Sequence, residues 1–88
     1  MPGDLRLRRD VVEWRESEGE VIAIDLEASE YLSTNATGTR LWRALAEGSD
    51  RDSLVRLLLE AYDVDEATAA EDVDRYLATL RDRGLLDG

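Results

Sequence analysis

The 88 residues contain no cysteine, no histidine, no lysine and no phenylalanine, and only one proline and one methionine. Without cysteine there are no disulfides to staple a small secreted domain and no thiolate nucleophile. With histidine also missing, zinc and copper lose their preferred ligands and the commonest general base is gone. Carboxylates are plentiful but scattered, and no EF-hand loop, Walker motif or dinucleotide fingerprint appears. No catalytic residue, no metal ligand and no cofactor is assigned on this inventory, and the chain reads as a non-enzyme. Long apolar runs are lacking too. Nothing approaches the roughly 20 residues of a membrane-spanning helix, and the opening MPGDLRLRRD has no apolar signal-peptide core after its charges. The expectation is a cytoplasmic protein with no membrane partner.

Acidic charge is abundant, at a formal −10. It is spread evenly: four Arg stand against nine acids before Asn35, and seven against twelve from Asn35 onward. No basic tail hides inside the average, so the field repels phosphate backbones and nucleic acid is not expected as a partner. A length of 88 residues and an apolar fraction of 43% fit one small folded domain, residues 1–88. Residues 1–9 form its lead-in, flexible or carrying a short strand at Leu5-Arg6-Leu7.

Along the chain, VVEWRE (11–16), EVIAIDL (20–26) and EYLST (30–34) read as strands separated by tight turns, which implies an antiparallel meander. In the second, Ile22, Ile24 and Leu26 alternate onto one face. The stretch Asn35-Ala36-Thr37-Gly38 matches a glycosylation acceptor, but in a chain read as cytoplasmic it needs another role. Its place before an amphipathic segment makes it a strand–helix junction, with Asn35 or Thr37 able to cap the first turn and Gly38 permitting close backbone approach. Beyond it the apolar period becomes helical. Leu41, Trp42, Leu45 and Ala46 precede Gly48; Leu54, Leu57, Leu58 and Ala61 follow caps at 49–52; and Ala69, Val73, Tyr76, Leu77 and Leu80 follow Asp65 and end at Gly84. The order βββααα predicts an α+β fold in which a small sheet is covered by a three-helix bundle.

Those residues resemble the pyrroloquinoline quinone biosynthesis protein D (PqqD) family. The marks run in order over roughly residues 10–87: Tyr31, then Asn35-x-Thr37-Gly38, Leu41-Trp42, the Leu-rich helix ending Tyr62-Asp63-Val64, Asp72-Val73 with Tyr76-Leu77, and Gly84-Leu85-Leu86. Each is weak alone; the ordered set is specific. The resemblance implies a winged-helix-like, non-catalytic element that binds the leader of a ribosomally made precursor peptide and hands it to modifying enzymes. The spacing around Asn35 is most similar to the stand-alone lasso-peptide branch. The implied partners are the precursor leader peptide, a leader peptidase of the transglutaminase-like Cys protease type and, as a further candidate, a cyclase. One position departs from the pattern: many relatives carry Leu where this chain has Thr34.

Physical reasoning supplies a site for that role. An edge strand leaves N–H and C=O groups unpaired, so an extended peptide can add to it as a further strand. The third strand, Glu30, Tyr31, Leu32, Ser33 and Thr34, feeds directly into the first helix. The third helix is the natural wall, with Val73, Tyr76 and Leu80 as floor and Asp72 and Arg83 at the rim. A plainer reading stands beside it. Val73, Leu77 and Leu80 have the spacing of a core stripe, Trp42 suits the core, Asp72 suits a solvated face, and Tyr31 and Leu32 must point to opposite sides. Two other functions fit the same elements: a winged-helix DNA-binding regulator, which the acidic third helix opposes, and a structural subunit completing a modifying enzyme.

Overall fold

The computed structural model describes residues 5–8 and 10–87. The elements are β1 (Arg6–Leu7), β2 (Val12–Ser17), β3 (Glu20–Asp25), β4 (Glu30–Ser33), α1 (Ala36–Glu47), α2 (Arg51–Ala61), α3 (Glu66–Asp82) and β5 (Leu86–Asp87). β2, β3 and β4 form an antiparallel meander in that order, and α1, α2 and α3 follow, so the α+β architecture expected from the periodicity is found. The remaining expected residues of the lead-in, 1–4 and 9, lie outside the described residues.

β3 is apolar on both faces, and the packing decides between them. Val21 and Ala23 are fully buried, while Ile22, at 42% exposed, faces the open side with the half-buried Ile24. The face that Ile22, Ile24 and Leu26 share is thus the uncovered one. Small side chains sit beneath the helices because α1 packs on β3, and close approach of a helix to a sheet leaves little room for larger ones. Asp25 is buried on the same side as Val21, and its carboxylate accepts from the N–H groups of Glu27 and Ala28 at 3.0 and 3.1 Å. It thereby closes the turn into β4.

The core is a continuous cluster in which Trp42, Leu45, Leu54, Leu58, Val73, Leu80 and Leu85 are buried essentially completely. Trp14 on β2 meets Trp42 edge to face, with centroids 5.9 Å apart at 75°, an arrangement worth about 0.5–1.5 kcal/mol beyond its area. Each helix starts on a side-chain cap. Asn35, Asp50 and Asp65 accept from the backbone N–H of Gly38, Ser53 and Thr68 respectively, as the Asn-x-Thr-Gly junction and the two Asp signals predict. The caps at Asp50 and Asp65 hold those carboxyls below the usual range because the ionised oxygen accepts a backbone hydrogen bond.

α3 ends in a left-handed turn. Gly84 has φ +71°, its N–H donates to the Arg81 carbonyl, and the Leu85 N–H donates to the Leu80 carbonyl at 2.9 Å. This cap throws Leu85 back into the core. It also begins β5, which pairs antiparallel with β1 as a second, two-stranded sheet that the periodicity alone did not foretell. Leu5 and Ser49 exchange both backbone hydrogen bonds, 2.9 and 2.8 Å, so the segment Leu5 to Leu7 is strapped between the end of α1 and the closing strand.

Candidate functional site

A cleft of about 440 Å³ opens where the edge of β4, the first turn of α1 and the exposed side of α3 converge. β4 pairs with β3 on one side and with no other strand among the described residues. Thr34 N–H donates to the Val21 carbonyl at 3.0 Å, which makes Thr34–Val21 a hydrogen-bonded pair. Antiparallel ladders alternate. In the observed register, Leu32 and Glu30 therefore turn their backbone groups toward β3, and Ser33 and Tyr31 turn theirs to the open edge.

The junction above that edge is fixed by a buried knot of hydroxyls. Thr34 and Thr39 oxygens lie 2.8 Å apart, and the Val21 N–H donates to both, at 3.4 and 3.2 Å. Both residues are buried, so each polar atom is satisfied where water cannot reach. This gives Thr34 a structural reason: its hydroxyl is half of a pair with Thr39.

Gly38 lets the three walls meet. A side-chain Cβ there would lie 3.0 Å from Thr34 Cβ and 3.3 Å from Tyr76 Cε1. Tyr76 reaches across from α3, and its hydroxyl donates to the Gly38 carbonyl at 3.1 Å. Burial pushes the phenol's pKa well above its ordinary value, so it stays a neutral donor. The ring is half-buried. It braces α3 against the strand–helix junction while its remaining face lines the cleft.

The rim is polar. Arg75 pairs with Glu71 at 3.0 Å and Asp72 at 3.5 Å, and Thr79 and Asn35 add hydroxyl and amide groups. Arg83 meets Glu30 at 3.3 Å and ties the end of α3 to the start of β4.

Of the residues singled out from the sequence, Ser33, Thr34, Asp72 and Tyr76 line the cleft directly. Glu30 and Arg83 do not line it; they pair with each other between β4 and the end of α3. Tyr31 points to the uncovered sheet face, 74% exposed, and Leu32 packs on the core from the other face, as strand alternation requires. Val73 and Leu80 are placed differently from the expected floor. At 0% and 1% exposed they are core residues, because the stripe Ala69, Val73, Leu77 and Leu80 faces the core, where α3 packs on α2. The floor instead comes from Gly38, Leu41 and Tyr76, with Thr37, Arg75 and Thr79 around it. A signal for part of this lay in the sequence: Asp72, Arg75, Tyr76 and Thr79 recur at helical spacing beside the apolar stripe.

The site brings together the edge-facing backbone groups of Tyr31 and Ser33, which no strand among the described residues pairs, a partly apolar floor and a polar rim. Its chemistry is that of holding an extended chain. Comparison with known proteins agrees with that shape. TbiB1 in complex with the TbiA(beta) leader peptide superposes with a TM-score of 0.87 and 29% identity, over 94% of this chain and 95% of that one. Lasso peptide synthetase B1 complexed with the leader peptide has the same fold, with a TM-score of 0.84 and 20% identity over 98% of this chain and 100% of that one. No curated protein matches. The family model described as coenzyme PQQ synthesis protein D (PqqD) matches residues 20–86, and the chain belongs to that family.

Proposed function

We propose that this chain is a non-catalytic adaptor that binds the leader of a ribosomally synthesised precursor of the lasso-peptide class and presents it to the leader peptidase. The leader adds to β4 as a fourth strand. Backbone groups of Tyr31 and Ser33 hydrogen-bond it, and its alternate side chains enter the cleft against Tyr76 and α3. The observation that carries this reading is the pairing of an open strand edge with a preformed cleft of about 440 Å³ at its C-terminal end. The leader-bound state of the similar TbiB1 structure supports the same occupant. Catalysis belongs to the enzymes served, since the lining residues carry neither an imidazole nor a thiol.

Isothermal titration of the pure protein with synthetic leader peptides of lasso-peptide precursors tests the proposal. Saturable one-to-one binding is expected, with the precursor's mass unchanged on incubation with the adaptor alone. Absence of binding, or cleavage by the adaptor alone, would contradict it.

A further inference from the structure

The meander has a second open edge, on the far side of the sheet from the cleft. Its backbone orientation follows from the same ladder logic. Leu26 N–H donates to the Val11 carbonyl at 2.8 Å, so Val11 belongs to the hydrogen-bonded set toward β3, together with Glu13, Arg15 and Ser17. The backbone groups of Val12, Trp14 and Glu16 therefore point away from the sheet. β2 is six residues long and has no strand partner on that side among the described residues. Exposed edges of this kind are ordinarily blunted by charge. On the open face of the sheet the charges are Glu13 and Arg15, of opposite sign, one residue to either side of Trp14; Glu16 lies on the other face.

That symmetry has a consequence for pairing. When β2 meets a second copy of itself antiparallel, with the two-fold axis through Trp14, Trp14 faces Trp14 of the partner, Val12 faces Glu16, and Glu13 faces Arg15. Every outward backbone group then finds its counterpart, because the three outward residues map onto one another. Glu13 and Arg15 fall at non-hydrogen-bonded positions, where facing side chains come closest. The axis generates that ion pair twice. A shift of two residues in either direction loses it: an axis on Glu16 sets Glu16 against Glu16, and an axis on Val12 sets Glu13 against Val11. Glu16 itself is already neutralised from within its own chain by Arg43. Trp14, exposed at 37% and set edge to face against Trp42, would be covered at the axis.

We infer that β2 is a self-association edge, through which two copies form an isologous dimer with one continuous six-stranded sheet. The strand order is β4-β3-β2-β2-β3-β4, so both clefts lie on the outer edges and remain open. The dimer is thus a bivalent adaptor.

Sedimentation velocity and light scattering over micromolar to millimolar concentrations read the association. A monomer–dimer equilibrium is expected for the wild type. Glu13→Arg and Arg15→Glu each oppose like charges across the axis and should weaken dimerisation at least tenfold. The double exchange carrying both substitutions restores opposite charges and should recover dimerisation. Both residues are exposed, and circular dichroism confirms each variant's fold. Hydrogen exchange on the unaltered protein gives an independent reading: the amides of Trp14 and Glu16 should gain protection as concentration rises. A wild type that stays monomeric throughout, or a dimer indifferent to the charge changes with Trp14 and Glu16 unprotected, overturns the inference. Neither result bears on leader binding, which uses the opposite edge.

Discussion

Gly38 and Tyr76 are the two residues on which the cleft's shape turns. A Cβ at Gly38 stands 3.0 Å from Thr34 Cβ, tighter than ordinary packing tolerates, and both the strand and Tyr76 would have to give way. Gly38→Val is expected to destabilise the fold by about 1–3 kcal/mol, the range for overpacking a close contact. Thermal melts would check it, and an unchanged melting temperature would mean the junction is looser than its distances indicate. Tyr76 acts by its ring and by its hydroxyl, and two variants separate them. Tyr76→Phe removes the hydrogen bond to the Gly38 carbonyl and should cost about 0.5–1.5 kcal/mol of stability. Tyr76→Ala also removes the aromatic wall and should cost about 1–3 kcal/mol of leader binding, the scale of an anchor residue. Titration calorimetry on the folded variants distinguishes the two effects. At this scale the sequence was only partly legible. Tyr76 stood out as a boundary residue because a phenol has an apolar body and a polar tip. Val73 and Leu80 could not be assigned to core or cleft from helical spacing alone, since both lie on the same apolar stripe and only the packing of neighbours shows which way it faces.

Among the elements, β4 and the capped helix starts carry the testable content. The Ser33 N–H faces the open edge, so Ser33→Pro deletes a donor that β3 does not use. The residue before it is already extended, as a proline requires. The variant should fold, by circular dichroism, and bind leader at least tenfold more weakly; full retention of affinity would exclude Ser33 from strand pairing. The caps answer to acid. Asp50 and Asp65 have lowered pKa values in the fold, so their contribution is present above the unfolded carboxylate pKa, about 4, and is lost as pH falls through the folded values. Denaturant melts should show stability falling below about pH 4, with a shallower fall in Asp50→Asn and Asp65→Asn. The strands, helices and caps were legible because turn chemistry and apolar period agree at each of them. The β1–β5 sheet was not, because two-residue strands have no period, and their pairing depends on the cap at Gly84 bringing distant ends together.

At the scale of the molecule, an acidic domain with an open sheet edge and a helix-walled cleft is suited to a peptide and unsuited to a phosphate backbone. α3 would be the wall in either role, and from Glu66 to Asp82 it carries five acids against two Arg. The family and the sheet-then-helices architecture were visible in the ordered motifs from Tyr31 to Leu86. Which face of the sheet the helices cover was not, since VIAI is apolar at every position. The central claim is that leader adds as a strand to β4, and hydrogen exchange on the complex tests it most directly. With leader bound, the edge-facing amides of Tyr31 and Ser33 should become strongly protected, while the exposed backbone between α2 and α3 is unchanged. Binding that leaves Tyr31 and Ser33 exchanging as before, with protection arising on α2 instead, would contradict the account.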